Sequence, residues 1–182
     1  DKGNKVSAFG ISSNNLSYAG FGSGGVDAST APKLKTALAE SGLEVNPTLA
    51  DFYENGAAKD YKRSTKSFFQ TGEYGINEAP WSIYTDDVKN SFASYGDAAI
   101  MVITREGGED NDLPRTNSDF EASREASANI FESAKNPFNS DTSNDGKDGN
   151  YLSLSEDERE LLRQLTNYKN QGVFKKVVVL IN

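Results

Sequence analysis

The sequence contains no cysteine and no histidine, and each absence removes a class of chemistry. Without cysteine the chain can form neither a disulfide nor a thiolate metal site. Without histidine, the serine–histidine and cysteine–histidine nucleophile systems and the common zinc sites are excluded. Acid–base catalysis by this chain must therefore use Asp, Glu, Lys or Tyr side chains, and we expect no cofactor and no metal site.

Basic residues and long apolar runs are also scarce. The chain has 19 Lys and Arg against 27 Asp and Glu, which gives a formal net charge of −8. No basic stripe is present to neutralise nucleic-acid phosphates or an anionic membrane surface. No apolar run approaches the roughly 18 residues that span a bilayer, and no signal peptide begins the chain. We expect no nucleic-acid partner, no membrane association, and a cytoplasmic or secreted bacterial protein, with the cytoplasm favoured.

Strand-like and helix-like segments alternate along the chain, which predicts a mostly parallel sheet flanked by helices. The predicted strands are residues 5–10, 43–45, 98–103 and 175–181, and the predicted helices are residues 30–41, 47–62, 86–95, 117–135 and 155–168. Ser155 and Glu158 form a capping box at the start of the last helix. We expect one α/β domain over residues 1–182, a three-layer α/β/α sandwich of flavodoxin-like type, with a mobile excursion at residues 136–150.

The last predicted strand ends the sequence. Its residues 177–181 are continuously apolar, which is typical of an interior strand with both faces covered. Edge strands are normally short, charged or shielded. We therefore expect that the sandwich is truncated after this strand, and that either its missing remainder or a homodimer through residues 175–181 protects the edge.

An acidic loop follows the predicted buried strand Ala98–Ile103. The strand stops at Thr104-Arg105, and residues 106–112 read E-G-G-E-D-N-D. Carboxylates at the carboxyl end of a buried strand lie where an open α/β sheet presents chemistry, and paired glycines allow sharp turns there. The candidate carboxylates are Glu106, Glu109, Asp110 and Asp112. A charged surface loop is the alternative interpretation.

Three other motifs carry less weight. Gly20, Gly22 and Gly25 spell G-x-G-x-x-G but neither end a predicted strand nor open a helix, so they indicate a turn or a close backbone approach to a ligand such as a sugar. Residues 141–146 resemble the start of a calcium loop, yet Leu152 stands where glutamate is required. The aromatic rings of Trp81 and Tyr84 suit either sugar stacking or core packing.

The segment 105–112 resembles the Arg-x-x-Gly-Glu-x-x-Asp loop of glycoside hydrolase family 3, the β-glucosidase family. Further segments resemble the α/β-sandwich domain of that family in order: residues 22–27, 34–38, 45–49, 84–88, 151–154 and 174–182. The resemblance covers essentially the whole chain and is specific in combination. It implies that the parent protein is a retaining β-glucosidase that removes terminal β-linked glucose from a β-glucoside or oligosaccharide.

The resemblance also implies roles for individual residues. Glu109 matches the general acid/base, and Asp110 stands where many relatives have glycine, so that the two carboxyl groups would titrate together. The residues implied to contact or shape the sugar site are Arg105, Asp112, Trp81, Gly22, Ser23 and Gly24.

The nucleophile of such enzymes lies outside this type of domain. In the family it is the aspartate of a Ser-Asp-Trp motif on a TIM-barrel domain, and we interpret Ser118-Asp119-Phe120 as a coincidental match. The isolated chain is therefore expected to be inactive without that barrel. The alternatives are a non-catalytic carbohydrate- or partner-binding module of the same fold and, as a third candidate, a nucleotide-binding flavodoxin-like domain.

Overall fold

The structure is a computed structural model that describes residues 2–20, 25–63, 75–107 and 152–182. Within these ranges the strands are Lys5–Phe9 (β1), Glu44–Val45 (β2), Ala98–Ile103 (β3) and Val177–Ile181 (β4). The α-helices there are Ile11–Asn14 (α1), Leu34–Glu40 (α2), Pro47–Glu54 (α3), Asp86–Ser91 (α4) and Glu156–Asn170 (α5), with 3-10 turns at Trp81–Ile83 and Phe92–Tyr95. None of the helices in these ranges has the length and apolarity to cross a membrane.

The four strands form one parallel sheet in the order β2-β1-β3-β4. Val6 of β1 is paired with Ala98 of β3, and Ala99 of β3 is paired with Val177 of β4. The predicted α/β class with a mostly parallel sheet is confirmed. From β1 the chain moves to β2 on one side and then returns to β3 on the other, so the order reverses between β1 and β3. That reversal is the topological switch point of the sheet.

The central strand β3 is buried at every position, as its continuous apolar run predicts. Ala99, Met101 and Ile103 face the larger apolar cluster, whereas Ala98 and Ile100 face a smaller one on the opposite side of the sheet. In the larger cluster the rings of Phe9, Phe92 and Phe174 lie 5.1–5.7 Å apart between centroids. Apolar packing therefore covers both faces of β3.

The capping box at the start of α5 is confirmed. Ser155 Oγ accepts a hydrogen bond from the Glu158 N–H at 3.2 Å, and Glu158 Oε2 accepts one from the Ser155 N–H at 2.9 Å. These two bonds satisfy N–H groups that the first turn of a helix leaves without a partner.

Two predicted helices are shorter in the structure, and one helical turn was not predicted. The helix predicted over residues 30–41 begins only at Leu34. The helix predicted over residues 47–62 ends at Glu54, because the N–H groups of Asn55 and Gly56 both bond the Asp51 carbonyl and close the last turn. The turn α1 was predicted as loop. It forms because Gly10 adopts φ +88°, which brings the chain directly out of β1 into a helical turn.

The strand β4 lies at one edge of the sheet. Its exposure rises along the strand, and Ile181 is 88% exposed. In the described ranges, β4 pairs with β3 alone. Protection of this edge by a further part of the sandwich or by a second copy stays a prediction. The helix predicted at 117–135 and the excursion at 136–150 lie outside the described residues.

Candidate functional site

The switch point of the sheet places two turns side by side. The turn after β1 is residues 10–14, and the turn after β3 is residues 104–107. In open α/β sheets, ligands bind in the crevice outside the carboxyl ends of the strands at such a point. We call the space between these two turns the switch-point crevice.

Glycine at position 10 allows the first turn to approach β3 closely. A Cβ atom at Gly10 would lie 2.8 Å from the Val102 carbonyl oxygen and 3.2 Å from Glu78 Oε2. The Gly10 N–H donates to Tyr53 Oη at 2.8 Å, and the Gly10 carbonyl accepts from Ser13 Oγ at 2.7 Å. Position 10 therefore combines a left-handed φ with close packing, both of which exclude a side chain.

A buried glutamate, Glu78, bonds the backbone of the same turn. Both carboxyl oxygens of Glu78 accept from the Ile11 N–H, at 3.1 and 3.2 Å, and Oε1 also accepts from the Ala79 N–H at 3.0 Å. Burial, followed by the negative charge of Glu158, raises the pKa of Glu78 to about 8, against the lowering effect of the two N–H donors. Glu78 is therefore mostly protonated at neutral pH. No sequence motif indicated that Glu78 belongs to this site.

Two tyrosines complete this buried network. The hydroxyl groups of Tyr53 and Tyr84 share a short hydrogen bond, and both side chains are buried. Burial raises the pKa of each hydroxyl well above its usual value. The side chains of Glu78, Tyr53 and Tyr84, which pack against the turn after β1, are thus mostly neutral hydrogen-bonding groups at pH 7.

An ion pair holds the turn after β3. The Arg105 guanidinium contacts both carboxylate oxygens of Glu158, with Nη1–Oε1 at 2.9 Å and Nη2–Oε2 at 2.7 Å. Its Nη2 also donates to the Ser153 carbonyl at 2.7 Å. Because Glu158 belongs to the capping box of α5, Arg105 ties β3 to the start of that helix. A sugar contact by Arg105 stays a prediction.

A second arginine links the two turns. Arg63 Nη1 donates to Ser12 Oγ at 2.9 Å and to the Asn15 carbonyl at 2.6 Å, while Nη2 lies 3.6 Å from Glu106 Oε2. Glu106 is the candidate carboxylate that lies within the described residues. The sequence alone did not indicate Arg63 or Ser12 as part of this site.

Asn182 connects the end of β4 to two other segments of the chain. Its Oδ1 accepts from the Ser17 N–H at 2.8 Å and from Thr104 Oγ1 at 3.1 Å, and its Nδ2 donates to the Ser17 carbonyl at 2.9 Å. Its backbone N–H donates to the Ile103 carbonyl. One carboxamide thereby connects the end of β4 to segments that follow β1 and β3.

The remaining predicted site residues fall in different places. The Trp81 ring stacks on Tyr84 at 4.5 Å between centroids, also contacts Phe92 and Tyr168, and packs against the larger core cluster. Sugar stacking by Trp81 stays a prediction. Gly22, Ser23, Gly24, Glu109 and Asp112 lie outside the described residues. Among the described residues, no group of three or more acidic side chains is arranged to hold a metal ion.

Comparison with known proteins identifies similar folds. No protein-family model and no curated protein sequence matches the chain. Among solved structures, β-glucosidase 3B from Thermotoga neapolitana, in complex with glucose, matches with a TM-score of 0.62 and 22% identity over 100% of this chain and 20% of that one. A β-glucosidase from Paenibacillus barengoltzii matches with a TM-score of 0.60 and 25% identity over 97% of this chain and 15% of that one.

These matches confirm the expected similarity to a β-glucosidase domain at the level of fold. A third structure, of the Thermotoga enzyme with α-D-glucose, gives a TM-score of 0.63 at 22% identity, again over 100% of this chain and 20% of that one. The chain thus spans about a fifth or less of the length of the solved proteins it matches.

Proposed function

We propose that this chain is the α/β domain of a larger retaining β-glucosidase and supplies Glu109 as the general acid/base for hydrolysis of terminal β-linked glucose. The observation that carries the proposal is the fold match, which extends over the whole chain and involves β-glucosidases, one of them solved with glucose. The switch-point crevice supports it, because this is where the fold presents ligand-binding groups.

The proposed role of Glu109 depends on its place in the sequence. Glu109 lies two residues after Gly107, where the described part of the turn after β3 ends. Retaining glycosidases use two carboxyl groups about 5–5.5 Å apart, one as nucleophile and one as acid/base. The acid must hold a proton until the leaving oxygen departs, so burial or a neighbouring charge must raise its pKa. Asp110 is the neighbouring charge that the sequence offers.

The nucleophile is assigned to the rest of the larger protein. The chain spans about a fifth of the length of the Thermotoga enzyme, and the proposal places the nucleophilic aspartate on a TIM-barrel domain outside it. On this proposal the 182-residue chain forms part of the sugar site but does not cleave an aryl β-glucoside by itself.

The proposal is tested by adding a β-glucosidase barrel domain in trans and measuring kcat/KM on aryl β-glucosides with good and poor leaving groups. We expect Glu109→Ala to reduce kcat/KM by about 10²- to 10⁴-fold, with the greatest loss for the poorest leaving group, because that bond requires a proton donor. Asp119→Asn, which removes an acid outside the proposed site, is the matched control, with an expected change of less than twofold.

Three results would contradict the proposal. Equal losses of kcat/KM from Glu109→Ala and Asp119→Asn would rule out a specific role of Glu109. Hydrolysis by the chain alone that Asp119→Asn abolishes would place the nucleophile in this domain. Sugar binding without any restored hydrolysis would favour the non-catalytic binding module.

A further inference from the structure

A cavity of about 360 Å³ lies beside the switch-point crevice. It opens between the turn after β1 and the segment after α3, and its volume falls within the range of small-molecule sites. Among the described residues, its walls come from the segments that follow β1 and α3, from α3 itself and from the start of α2. These lining residues are Ile11, Asn14, Asn15, Lys33, Tyr53, Ala58, Lys59, Tyr61 and Lys62. No sequence motif indicated that these residues form a binding site.

The charge of this cavity is opposite to that of the chain. Lys33, Lys59 and Lys62 contribute to its walls, and no Asp or Glu is among the lining residues that the structure describes, although the chain as a whole carries a net charge of −8. Within the described ranges, none of these three ammonium groups lies within 4.0 Å of a carboxylate. Lys35 and Lys175, by contrast, pair with Glu54 and Asp97 at 2.5 and 2.6 Å.

Three lysine side chains that line one cavity give it a positive electrostatic potential. An anion bound in the cavity is attracted by these charges. The neutral part of the lining suits the rest of a small polar ligand. Asn14 and Asn15 offer amide groups, and Ile11 and Ala58 are buried apolar side chains.

The cavity shares a wall with the switch-point crevice. Ile11 and Asn14 belong to the turn after β1, and Gly10 of the same turn lies close to the Val102 carbonyl of β3. Arg63 bonds both Ser12 Oγ and the Asn15 carbonyl, so it holds this shared wall in place. A ligand with a sugar ring at the crevice can therefore extend a substituent into the cavity.

We propose that this cavity binds the carboxylate or phosphate group of an anionic sugar. The part of the inference that places the sugar ring in the crevice rests on the proposed function. The anion site itself depends only on the cavity and its three lysines. The shared chemistry is an oxyanion held by ammonium groups, and a uronate and a sugar phosphate are its two sources.

The test measures binding of D-glucuronate, inorganic phosphate and D-glucose to the 182-residue chain by isothermal titration calorimetry. The variant K33Q/K59Q/K62Q neutralises the cavity, and K2Q/K169Q/K176Q is the matched control with the same change in net charge at exposed positions outside its lining. We expect the first variant to raise the Kd of the bound anion at least tenfold and the control to raise it less than twofold. Circular dichroism melting curves verify that both variants fold.

Each outcome decides the inference. Selective binding of glucuronate identifies a carboxylate as the ligand group, and selective binding of phosphate identifies a phosphoryl group. Absence of anion binding, or equal weakening by the two triple variants, overturns the site. Because the readout is binding rather than hydrolysis, a failed anion site with intact Glu109-dependent hydrolysis rejects only this inference. A confirmed anion site without that hydrolysis rejects only the proposed function.

Discussion

The two turns of the switch-point crevice are each held by one buried glutamate, but by different means. Glu78 is 3% exposed and holds the turn after β1 through the backbone N–H groups of Ile11 and Ala79. Glu158 is 2% exposed and holds the turn after β3 through both nitrogens of the Arg105 fork. The two glutamates therefore differ in their partners and hardly at all in burial.

The comparison shows that two equally buried carboxyl groups hold their turns through different kinds of partner. Backbone N–H donors stabilise a carboxylate, yet for Glu78 they do not offset burial and the nearby Glu158, so its pKa rises. Arg105 instead supplies a full positive charge and two hydrogen bonds to Glu158. The turn after β3 is thus held by an ion pair, and the turn after β1 by an acid that is neutral at pH 7.

The largest expected effect comes from removing the charge beside Glu158. Arg105→Met leaves a buried carboxylate without its cation, and we expect the free energy of unfolding to fall by about 3–5 kcal/mol. Urea unfolding measures the change. The control is Arg163→Met, which breaks the exposed pair with Glu160 and is expected to have far less effect. Equal losses would show that the buried pair has no special role.

The next largest expected effect is a dependence of the free energy of unfolding on pH, caused by Glu78. The pKa of Glu78 is about 8 in the folded protein and near its ordinary value of 4.5 in the unfolded chain, so the folded state binds the proton more tightly. Its contribution to stability is complete below about pH 4.5 and is lost as the pH rises to about 8. Glu78→Gln keeps an oxygen acceptor without an ionisable proton.

We therefore expect the wild type to lose up to about 4 kcal/mol of unfolding free energy relative to Glu78→Gln between pH 4.5 and pH 8. Urea unfolding at a series of pH values measures the difference. A constant difference across that range would show that the pKa of Glu78 is not raised in the folded protein.

The smallest effect concerns the tyrosines beneath the turn after β1. Tyr53→Phe removes the acceptor of the buried Gly10 N–H and the partner of the Tyr84 hydroxyl, and we expect a loss of about 1–3 kcal/mol. Tyr84→Phe leaves the acceptor for Gly10 in place, so we expect a smaller loss of about 1 kcal/mol. Thermal unfolding of both variants measures which loss of stability is larger. A larger loss for Tyr84→Phe would show that the hydrogen bond from the Gly10 N–H to Tyr53 contributes little.

Local patterns predicted the parts of the fold that depend on local physics. The apolar run of β3 and the capping box of Ser155 and Glu158 each depend on neighbouring residues, and both are confirmed. The helix after β2 ends at Glu54, where the N–H groups of Asn55 and Gly56 both bond the Asp51 carbonyl. The apolar periodicity that predicted a longer helix did not take account of this Asn-Gly pair, which is a local signal for a turn.

The site was less predictable because its groups meet across long distances in the sequence. The turn after β3 was identified from its position, but Arg105 and Glu158 are 53 residues apart and no local pattern pairs them. Glu78 stands as a single acid in the segment I-N-E-A-P-W, and its isolation among apolar residues was the available signal. A lone charge in such a segment must find a buried partner or lose its charge.

The side chain of Asn182 has a practical consequence. Its carboxamide lies at the end of β4 and bonds the backbone of Ser17 and the hydroxyl of Thr104, so it lies beside the turn after β3, which forms one wall of the crevice. A molecule that enters the crevice must either leave these bonds intact or compete for the same donors and acceptors. The NMR resonances of this one NH₂ group therefore provide a natural probe of occupancy that requires no added label on the ligand.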